Sequence, residues 1–219
     1  SFRCTHDSEM IWHQAPEELN AASVSAEVIR SRQNDLLIDV QILPMDKKAV
    51  RLNGVKKSRI VDLLGQLNTV LFCAMDLGIV SADPGFRRRY LNIELSQISP
   101  KYIIDMAGYK KALEQRNRLL KDLRDYGNSD PGVLEAWNNQ LVQFGAPIID
   151  KRQEYIERIS PIADGIHQEL TEGKETLRVE YLPSVTPTGS DSVINMENAI
   201  AEVRNEERRR GVTLIGPQR

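Results

Sequence analysis

The stretch after Pro100 constrains the fold most, because apolar residues recur there at alternating steps of four and three. This spacing predicts a long helix with a coiled-coil-like seam in which one position is polar. The seam residues are Tyr102, Met106, Tyr109, Leu113, Arg116, Leu120 and Leu123. The polar sequence YGNSDPG at residues 126–132 then ends the helical pattern.

A second apolar seam follows this break. Pro147 and Pro161 lie within it, and a kink is expected at the first and an irregularity at the second. Two long helices joined by a tight polar turn predict an antiparallel helix hairpin. The second seam consists of Leu134, Trp137, Leu141, Phe144, Ile148, Tyr155, Ile159, Ile162 and Ile166.

In the first part of the chain, apolar and polar residues alternate instead, as is typical of β-strands. Between residues 23 and 52, VSAEVIR, LLIDVQIL and AVRLNG are separated by turn-forming residues and predict three antiparallel strands. Residues 56–67 change to helical spacing, the apolar run at residues 70–72 is typical of a short buried strand, and Asp83-Pro84-Gly85 predicts a turn. The apolar face of the predicted helix comprises Ile60, Leu63, Leu64 and Leu67.

The last part of the chain alternates between element types. TLRVEYLPSV and VTLIG are strand-like, and PSVTPTGSDS is too rich in Pro, Ser, Thr and Gly to be regular. An amphipathic helix is predicted over residues 194–210, with Gly211 where a helix C-cap belongs. The chain is therefore predicted to be an α+β protein with a small antiparallel sheet and a long helical hairpin.

Composition limits the function classes. Lys and Arg number 29 against 31 Asp and Glu, so the net charge of -2 gives no overall attraction to nucleic acid. Cys4 and Cys73 fit no metal-ligand spacing and are interpreted as two reduced thiols. No apolar run approaches the roughly 20 residues that cross a bilayer, so a cytoplasmic protein is expected. The absence of an initiator Met indicates a piece of a longer protein.

Arg87, Arg88 and Arg89 form the densest cationic motif. Three adjacent guanidinium groups cannot all be buried without partners, so at least one must face solvent or an anion. They either contact phosphate, from DNA or nucleotide, or form an ion-paired surface patch with Glu94 and Asp83. Composition alone favours the patch.

Two other basic groups also allow a structural interpretation. Arg208, Arg209 and Arg210 lie in the last turn of the final helix, where cations oppose the helix dipole. A second group frames a predicted strand pair and either follows a DNA backbone or protects a sheet edge. Its members are Lys47, Lys48, Arg51, Lys56, Lys57 and Arg59.

Catalytic chemistry is not indicated by any motif. His6, His13 and His167 are dispersed, and no nucleophile and base can be paired without assuming tertiary proximity. The order G-x-x-x-x-G-K-[ST], which wraps backbone N–H groups around a triphosphate, does not occur. The chain is therefore not expected to be an enzyme, to hold a metal or to bind ATP tightly.

Several motifs together resemble the middle of bacterial RecF proteins. They are VLFCAMDL, DPGFRRRYLNIEL, YKKALEQRNRLLK, WNNQL, GAPIIDKR and RRRGVTLIGPQR, so the resemblance covers nearly the whole chain. The family's phosphate loop lies upstream of this region, and its signature and Walker B motifs lie downstream. This chain differs from the family pattern at Ala74, Asn92 and Gln218, where Pro, Asp and His are usual.

The resemblance implies an ATPase of the ABC type, related to SMC proteins, that dimerises around ATP and Mg, binds double-stranded DNA and acts with RecR and RecO to load RecA at single-strand gaps. It implies a weak DNA-stimulated ATPase activity for the intact family only. It places Asp76 in a nucleotide-sensing loop. It also implies three segments: the β-rich part of the head (1–99), the helical arm (100–172) and a return to the head (173–219).

Two functions for the segment remain open. The phosphate-contact candidates make it a DNA-binding part of a repair ATPase. Alternatively, the hairpin recruits a partner such as RecR without touching DNA. The candidate phosphate contacts are Lys56, Lys57, Arg59, Arg87, Arg88 and Arg89, and the arm seam is represented by Tyr109, Leu113, Leu120, Trp137, Leu141 and Phe144.

Overall fold

The computed structural model describes residues 6–14, 16, 20–31, 34–58, 60–127, 131–185 and 191–219. The chain divides into two compact units, Ser1–Leu71 and Phe72–Arg219. The first unit is built on a sheet and the second on helices, as the α+β prediction requires.

The first unit contains a four-stranded antiparallel sheet in the order β1, β2, β3, β4. The three predicted strands are confirmed, and the fourth was not predicted. The strands are β1, Ala22–Val28; β2, Leu36–Ile42; β3, Lys48–Leu52; and β4, Val55–Lys57.

One face of this sheet forms a small apolar core. Leu36 and Ile38 of β2 point to the same face, because successive strand residues alternate between faces. Val50 and Leu52 of β3 join them there, and all four side chains are at most 8% exposed. Burial of one face accounts for the alternation in the sequence.

A tight turn accounts for the unpredicted strand β4. Asn53 and Gly54 have φ values of 49° and 78°, as both central residues of a type I′ hairpin turn require. The turn returns the chain along β3, so that Val55 pairs with Leu52.

Two predictions for the next stretch are wrong. The helix over residues 56–67 is not formed, because β4 occupies its start and only a 3-10 turn, Ile60–Leu63, follows. The buried strand at residues 70–72 is not formed either, and Val70 and Phe72 are 95% and 88% exposed. No strand of the described residues pairs with this run, so its apolar character alone does not bury it.

The second unit consists of five described helices and a 3-10 turn, Ala74–Leu77. Gly211, with φ of 69°, ends the last helix in the left-handed conformation typical of a helix C-cap, as predicted. The helices are α1, Gly78–Ser81; α2, Pro84–Ile98; α3, Pro100–Tyr126; α4, Pro131–Leu170; and α5, Ser192–Arg210.

Helices α3 and α4 form the predicted antiparallel hairpin. Tyr102 of α3 contacts Arg152 of α4, whereas Arg116, further along α3, contacts Asn138, which is earlier in α4. Residue numbers therefore rise on one helix as they fall on the other. Helix α4 continues through both Pro147 and Pro161.

The end of α4 does not follow the predicted seam. The register of the hairpin places the start of α3 opposite Glu154, so the rest of α4 extends past its partner. Ile162 and Ile166, predicted as seam residues, are accordingly 62% and 55% exposed. The apolar spacing of the α4 sequence therefore continues past the point at which α3, its partner helix, begins.

The apolar core of the second unit joins the hairpin to α5 and to two irregular segments. Side chains from all four long helices contribute to it, so the hairpin is packed against the remainder of the unit. The buried members are Leu95, Tyr102, Tyr109, Ala112, Leu141, Val142, Ile148, Ile149, Val185, Met196, Ile200 and Ile215.

The two late strands predicted from TLRVEYLPSV and VTLIG are absent from these described residues, which are irregular. Side chains replace the missing strand partners. The backbone N–H groups of Thr213, Leu214 and Gly216 donate to Asn117 Oδ1, Glu207 Oε1 and Ser184 Oγ at 2.8 Å each. Val185 and Ile215 are buried by docking on helices rather than by pairing in a sheet. Leu177 and Leu182 of the first segment are exposed.

A buried ion pair connects the same elements. Arg116 of α3 and Glu207 of α5 are 2% and 0% exposed, and Arg116 Nη2 donates to Glu207 Oε2 at 2.5 Å. Arg116 also donates to Asn138 Oδ1 at 2.7 Å and to Thr213 Oγ1 at 2.8 Å. The polar position of the predicted seam thus has a carboxylate and two neutral groups as partners, and a buried charge requires such pairing.

The first prediction compares two glycines of α4. A Cβ at Gly145 would lie 2.6 Å from the fully buried Met196, whereas a Cβ at Gly165 would have nothing within 4 Å. We expect Gly145→Ala to destabilise the fold by about 1–3 kcal/mol through overpacking. Gly165→Ala should stabilise it by up to about 1 kcal/mol, because alanine favours helix. Denaturant unfolding measures both, and equal effects would contradict the packing.

The second prediction concerns the buried ion pair. Glu207→Gln keeps the shape of the side chain but leaves the charge of Arg116 unpaired, which costs about 3–5 kcal/mol. Glu206→Gln is the matched control, because this neighbouring carboxylate is only half-buried and pairs with exposed arginines. Denaturant unfolding should show a large loss of stability for the first variant and little change for the second. Similar losses of stability would contradict the role of Glu207.

Candidate functional site

The three adjacent arginines lie on α2. Asp83 accepts a hydrogen bond from the backbone N–H of Gly85 at 2.5 Å, and Pro84 occupies the first helical position. Asp83-Pro84-Gly85 is therefore the start of a helix, whereas its sequence predicted a turn. Both Pro at the first position and Asp as N-cap favour helix initiation.

The arginines differ in their surroundings, because consecutive helix residues point in different directions. Arg87 donates to the carbonyls of Ile79 at 3.2 Å and Ala82 at 3.0 Å, and so satisfies the end of α1. Arg88 is half-buried and Arg89 is exposed. Arg87 thus has a structural role, whereas Arg88 and Arg89 are available to contact an anion.

The acidic residues close to these arginines in sequence do not neutralise them. Among the described residues, neither Asp83 nor Glu94 lies within ion-pair distance of Arg87, Arg88 or Arg89. Asp83 caps its own helix, and burial raises the pKa of the Glu94 carboxyl above its usual value. The ion-paired patch is therefore not formed within this part of the chain.

The basic residues of the first unit lie on its last strands. Lys56 of β4 is exposed and pairs directly with the exposed Arg51 of β3, and like charges in this position repel. Lys57 is half-buried, and Lys48 forms an ion pair with Asp7. Arg59, also predicted as a contact, lies outside the described residues.

Asp76 lies in the 3-10 turn Ala74–Leu77 and is half-buried. Its Oδ2 accepts a hydrogen bond from the backbone N–H of Cys73 at 2.7 Å. The carboxylate therefore stabilises its own turn, and a role in nucleotide sensing stays a prediction.

The predicted arm seam is a packed interface between α3 and α4. Tyr109, Leu120 and Leu141 are 3%, 1% and 0% exposed. Leu113, Trp137 and Phe144 are partly buried, and all three pack against the same core. These six side chains pack against other residues of the chain, so the seam serves the fold rather than an outside partner.

A pocket of about 390 Å³ opens between α2, α3, α4 and the end of the chain, and it was not predicted. Its most buried cation is Arg152 of α4, which is 2% exposed. Residues distant in sequence meet here, so no local spacing could indicate the site. The lining consists of Arg88, Asn92, Met106, Ala107, Tyr109, Lys110, Leu113, Arg152, Pro217 and Gln218.

Neutral groups hold Arg152 in place. It donates to Tyr102 Oη at 3.1 Å, to the carbonyl of Pro217 at 2.6 Å and to Asn92 Oδ1 at 2.9 Å. Burial raises the pKa of the Tyr102 hydroxyl, which stays protonated and donates to Asn92 Oδ1 at 2.7 Å. The pocket is therefore positively charged and has a rigid wall.

Neither a metal centre nor a membrane span emerges from the described residues. No three His, Cys, Asp or Glu side chains among them are grouped so that they could hold a metal ion. No described helix is both long enough and apolar enough to cross a membrane.

Curated relatives resemble this chain along its entire sequence. The DNA replication and repair protein RecF of Halothermothrix orenii is 37% identical over 225 residues, and that of Halalkalibacterium halodurans is 36% identical over 223. Both alignments include 100% of this chain and 58% of the relative. No family model matches the chain. The chain thus spans somewhat more than half the length of these relatives.

Solved structures show the same relationship. The structure of the recombination mediator protein RecF-ATP in the RecFOR pathway matches 100% of this chain with a TM-score of 0.88 and 26% identity, over 58% of its own length. A second, of RecF-ATPrS, matches 91% of the chain with a TM-score of 0.82 and 27% identity, over 54% of its length. Sequence and structure thus agree along the whole chain that it is similar to RecF proteins.

Proposed function

We propose that this chain is a segment of a RecF-type recombination mediator that binds double-stranded DNA within an ATP-dependent dimer. In this role it helps RecR and RecO load RecA at single-strand gaps. The observation that carries the proposal is the match over the entire chain to proteins named for DNA replication and repair and for the RecFOR pathway.

DNA contact is supported by cations without acidic partners. Arg89 is exposed and Arg88 half-buried on α2, and neither is ion-paired within the described residues. Arginine is suited to phosphate because its donors form a rigid fork. Since the net charge is -2, such attraction must come from local surfaces.

The sheet offers further cations for contact with phosphates. Arg51 and Lys56 face each other across β3 and β4, and Asp39 of β2 lies opposite Arg51 on its other side. Arg51 therefore has a neighbouring carboxylate, whereas Lys56 on the edge strand β4 is the cation available to an anion. Lys57 and Arg59 extend this basic sequence.

ATP and Mg belong to the intact family in this proposal, as does a weak DNA-stimulated ATPase activity. This chain's sequence contains no G-x-x-x-x-G-K-[ST] and no catalytic residue is assigned to it. Asp76 is proposed to sense the nucleotide. The segments 1–99, 100–172 and 173–219 are proposed as head, arm and return to the head.

The third prediction tests DNA binding directly. The chain should bind short duplex DNA with an affinity that falls steeply as salt rises, because neutralising each phosphate releases counterions. Replacing Arg88 and Arg89 with Ala should weaken binding and reduce the slope of log K against log salt by about 0.9 for each phosphate that is no longer neutralised. Fluorescence anisotropy at several salt concentrations measures both quantities.

Arg209→Ala is the control for this experiment. It removes an exposed arginine that already pairs with Glu206, so it should leave the slope unchanged. Binding that is independent of salt, or a slope unaltered by the α2 variants, would contradict DNA contact through α2.

A second function is favoured by an exposed apolar stripe on α4. Ile162, Ile166 and Leu170, spaced four residues apart on one helix face, are 62%, 55% and 79% exposed. Exposed apolar patches of this kind mark partner sites. In this alternative the segment is a structural or protein-interaction arm that recruits a partner such as RecR without contacting DNA. RecR capture that survives replacement of Arg87, Arg88 and Arg89 by Ala, together with no duplex binding by the unchanged chain at low salt, would favour it.

A further inference from the structure

We propose that the pocket between α2, α3, α4 and the Pro217-Gln218 segment binds a phosphate monoester group. Three cationic side chains line it, namely Arg88, Lys110 and Arg152, and no acidic side chain does. This site differs from a duplex-binding surface, because a pocket receives one compact phosphate group, whereas a DNA duplex contacts an open protein surface.

The charge of Arg152 is the main reason. Its side chain is 2% exposed, and its three hydrogen-bond partners, Tyr102, Pro217 and Asn92, are all neutral. No carboxylate of the described residues forms an ion pair with it. A buried charge without a counter-charge is costly, and a bound anion would supply the missing charge.

Free donors remain beside that charge. The guanidinium group has five N–H bonds, and Arg152 uses three of them in the bonds described. Asn92 uses its Oδ1 as a double acceptor, and its Nδ2 donates to no described residue. Each nitrogen of the Arg152 fork is already fixed by one bond, so the site is ordered before the anion arrives.

A phosphate monoester fits this lining better than a carboxylate. It carries a charge of about −1.5 to −2 and three acceptor oxygens, against one charge and two oxygens for a carboxylate. Arg88 and Lys110 add two cations to that of Arg152. Lys110 lies 4.0 Å from Glu114, but both side chains are exposed, so this pair neutralises little.

The size and walls of the pocket indicate what carries the phosphate. A volume of about 390 Å³ exceeds the needs of a bare ion and falls in the range of small-ligand sites. Met106, Ala107 and Leu113 give it an apolar wall. The phosphate thus comes either on a small phosphorylated molecule or at the end of a nucleic-acid strand, and both share the same chemistry.

The fourth prediction uses Asn92→Asp in the full chain. This substitution keeps the shape of the side chain and supplies Arg152 with a carboxylate as its counter-charge. A bound anion is then no longer needed to neutralise Arg152, and the fold should be undisturbed. Calorimetric titration with inorganic phosphate, at constant ionic strength, should show binding to the unchanged chain and an affinity weaker by about tenfold or more in the variant. Acetate should bind to neither.

Two matched pairs locate the site. Arg88→Ala and Lys110→Ala should weaken phosphate binding, whereas Arg89→Ala and Lys111→Ala, which alter neighbours outside the pocket, should not. No phosphate binding, equal binding of acetate, or equal phosphate affinity in Asn92→Asp would overturn the proposal. Arg152 itself is left intact, because its removal would disrupt buried contacts.

Further titrations distinguish the two sources. Adenosine monophosphate represents a small phosphorylated molecule, and a duplex with 5′-phosphate ends is compared with one that has 5′-hydroxyl ends. Whichever probe binds more tightly than inorganic phosphate identifies the source, provided that Asn92→Asp removes the gain in affinity. A gain that survives Asn92→Asp would contradict the pocket. Duplex binding through Arg89 can fail while phosphate binding holds, so the two proposals are tested separately.

Discussion

The buried ion pair between Arg116 and Glu207 is the interaction on which the helical unit depends. It joins α3 to α5, and the same two side chains hold Asn138 of α4 and the backbone near Thr213. Removing either charge would leave the other buried and unpaired, so the four elements are stabilised or destabilised together. This coupling makes the hairpin part of a compact unit instead of an independent pair of helices.

The functional features follow from that arrangement. Because the last residues are held against the hairpin, the carbonyl of Pro217 reaches Arg152 and closes one wall of the pocket. Helix α2 provides another part of the wall through Asn92 and Arg88. Helix α2 therefore lines the cationic pocket and also carries the exposed Arg89. The pocket is suited to a single phosphate group, and Arg89 is suited to the backbone of a DNA strand.

Periodic features were predictable from the sequence, and features that depend on distant partners were not. The hairpin and α5 repeat their apolar residues at helical spacing, and β1 to β3 alternate, so local patterns were sufficient. VTLIG is also strand-like in composition, but Asn117, Glu207 and Ser184 supply its backbone partners, and no local pattern predicts them. The resemblance to RecF proteins is visible in local motifs, whereas the pocket depends on Asn92 and Arg152, which are distant in sequence and meet only in the fold.

Native-state hydrogen exchange tests the central claim most directly, because it measures the free energy that opens each backbone hydrogen bond. The amide hydrogens of Thr213, Leu214 and Gly216 should be protected as strongly as those in the buried middle of α3 and α4, although they belong to no helix or strand. Exchange of these three amides as fast as that of an exposed loop would contradict the account, since side-chain acceptors would then not hold the segment in place.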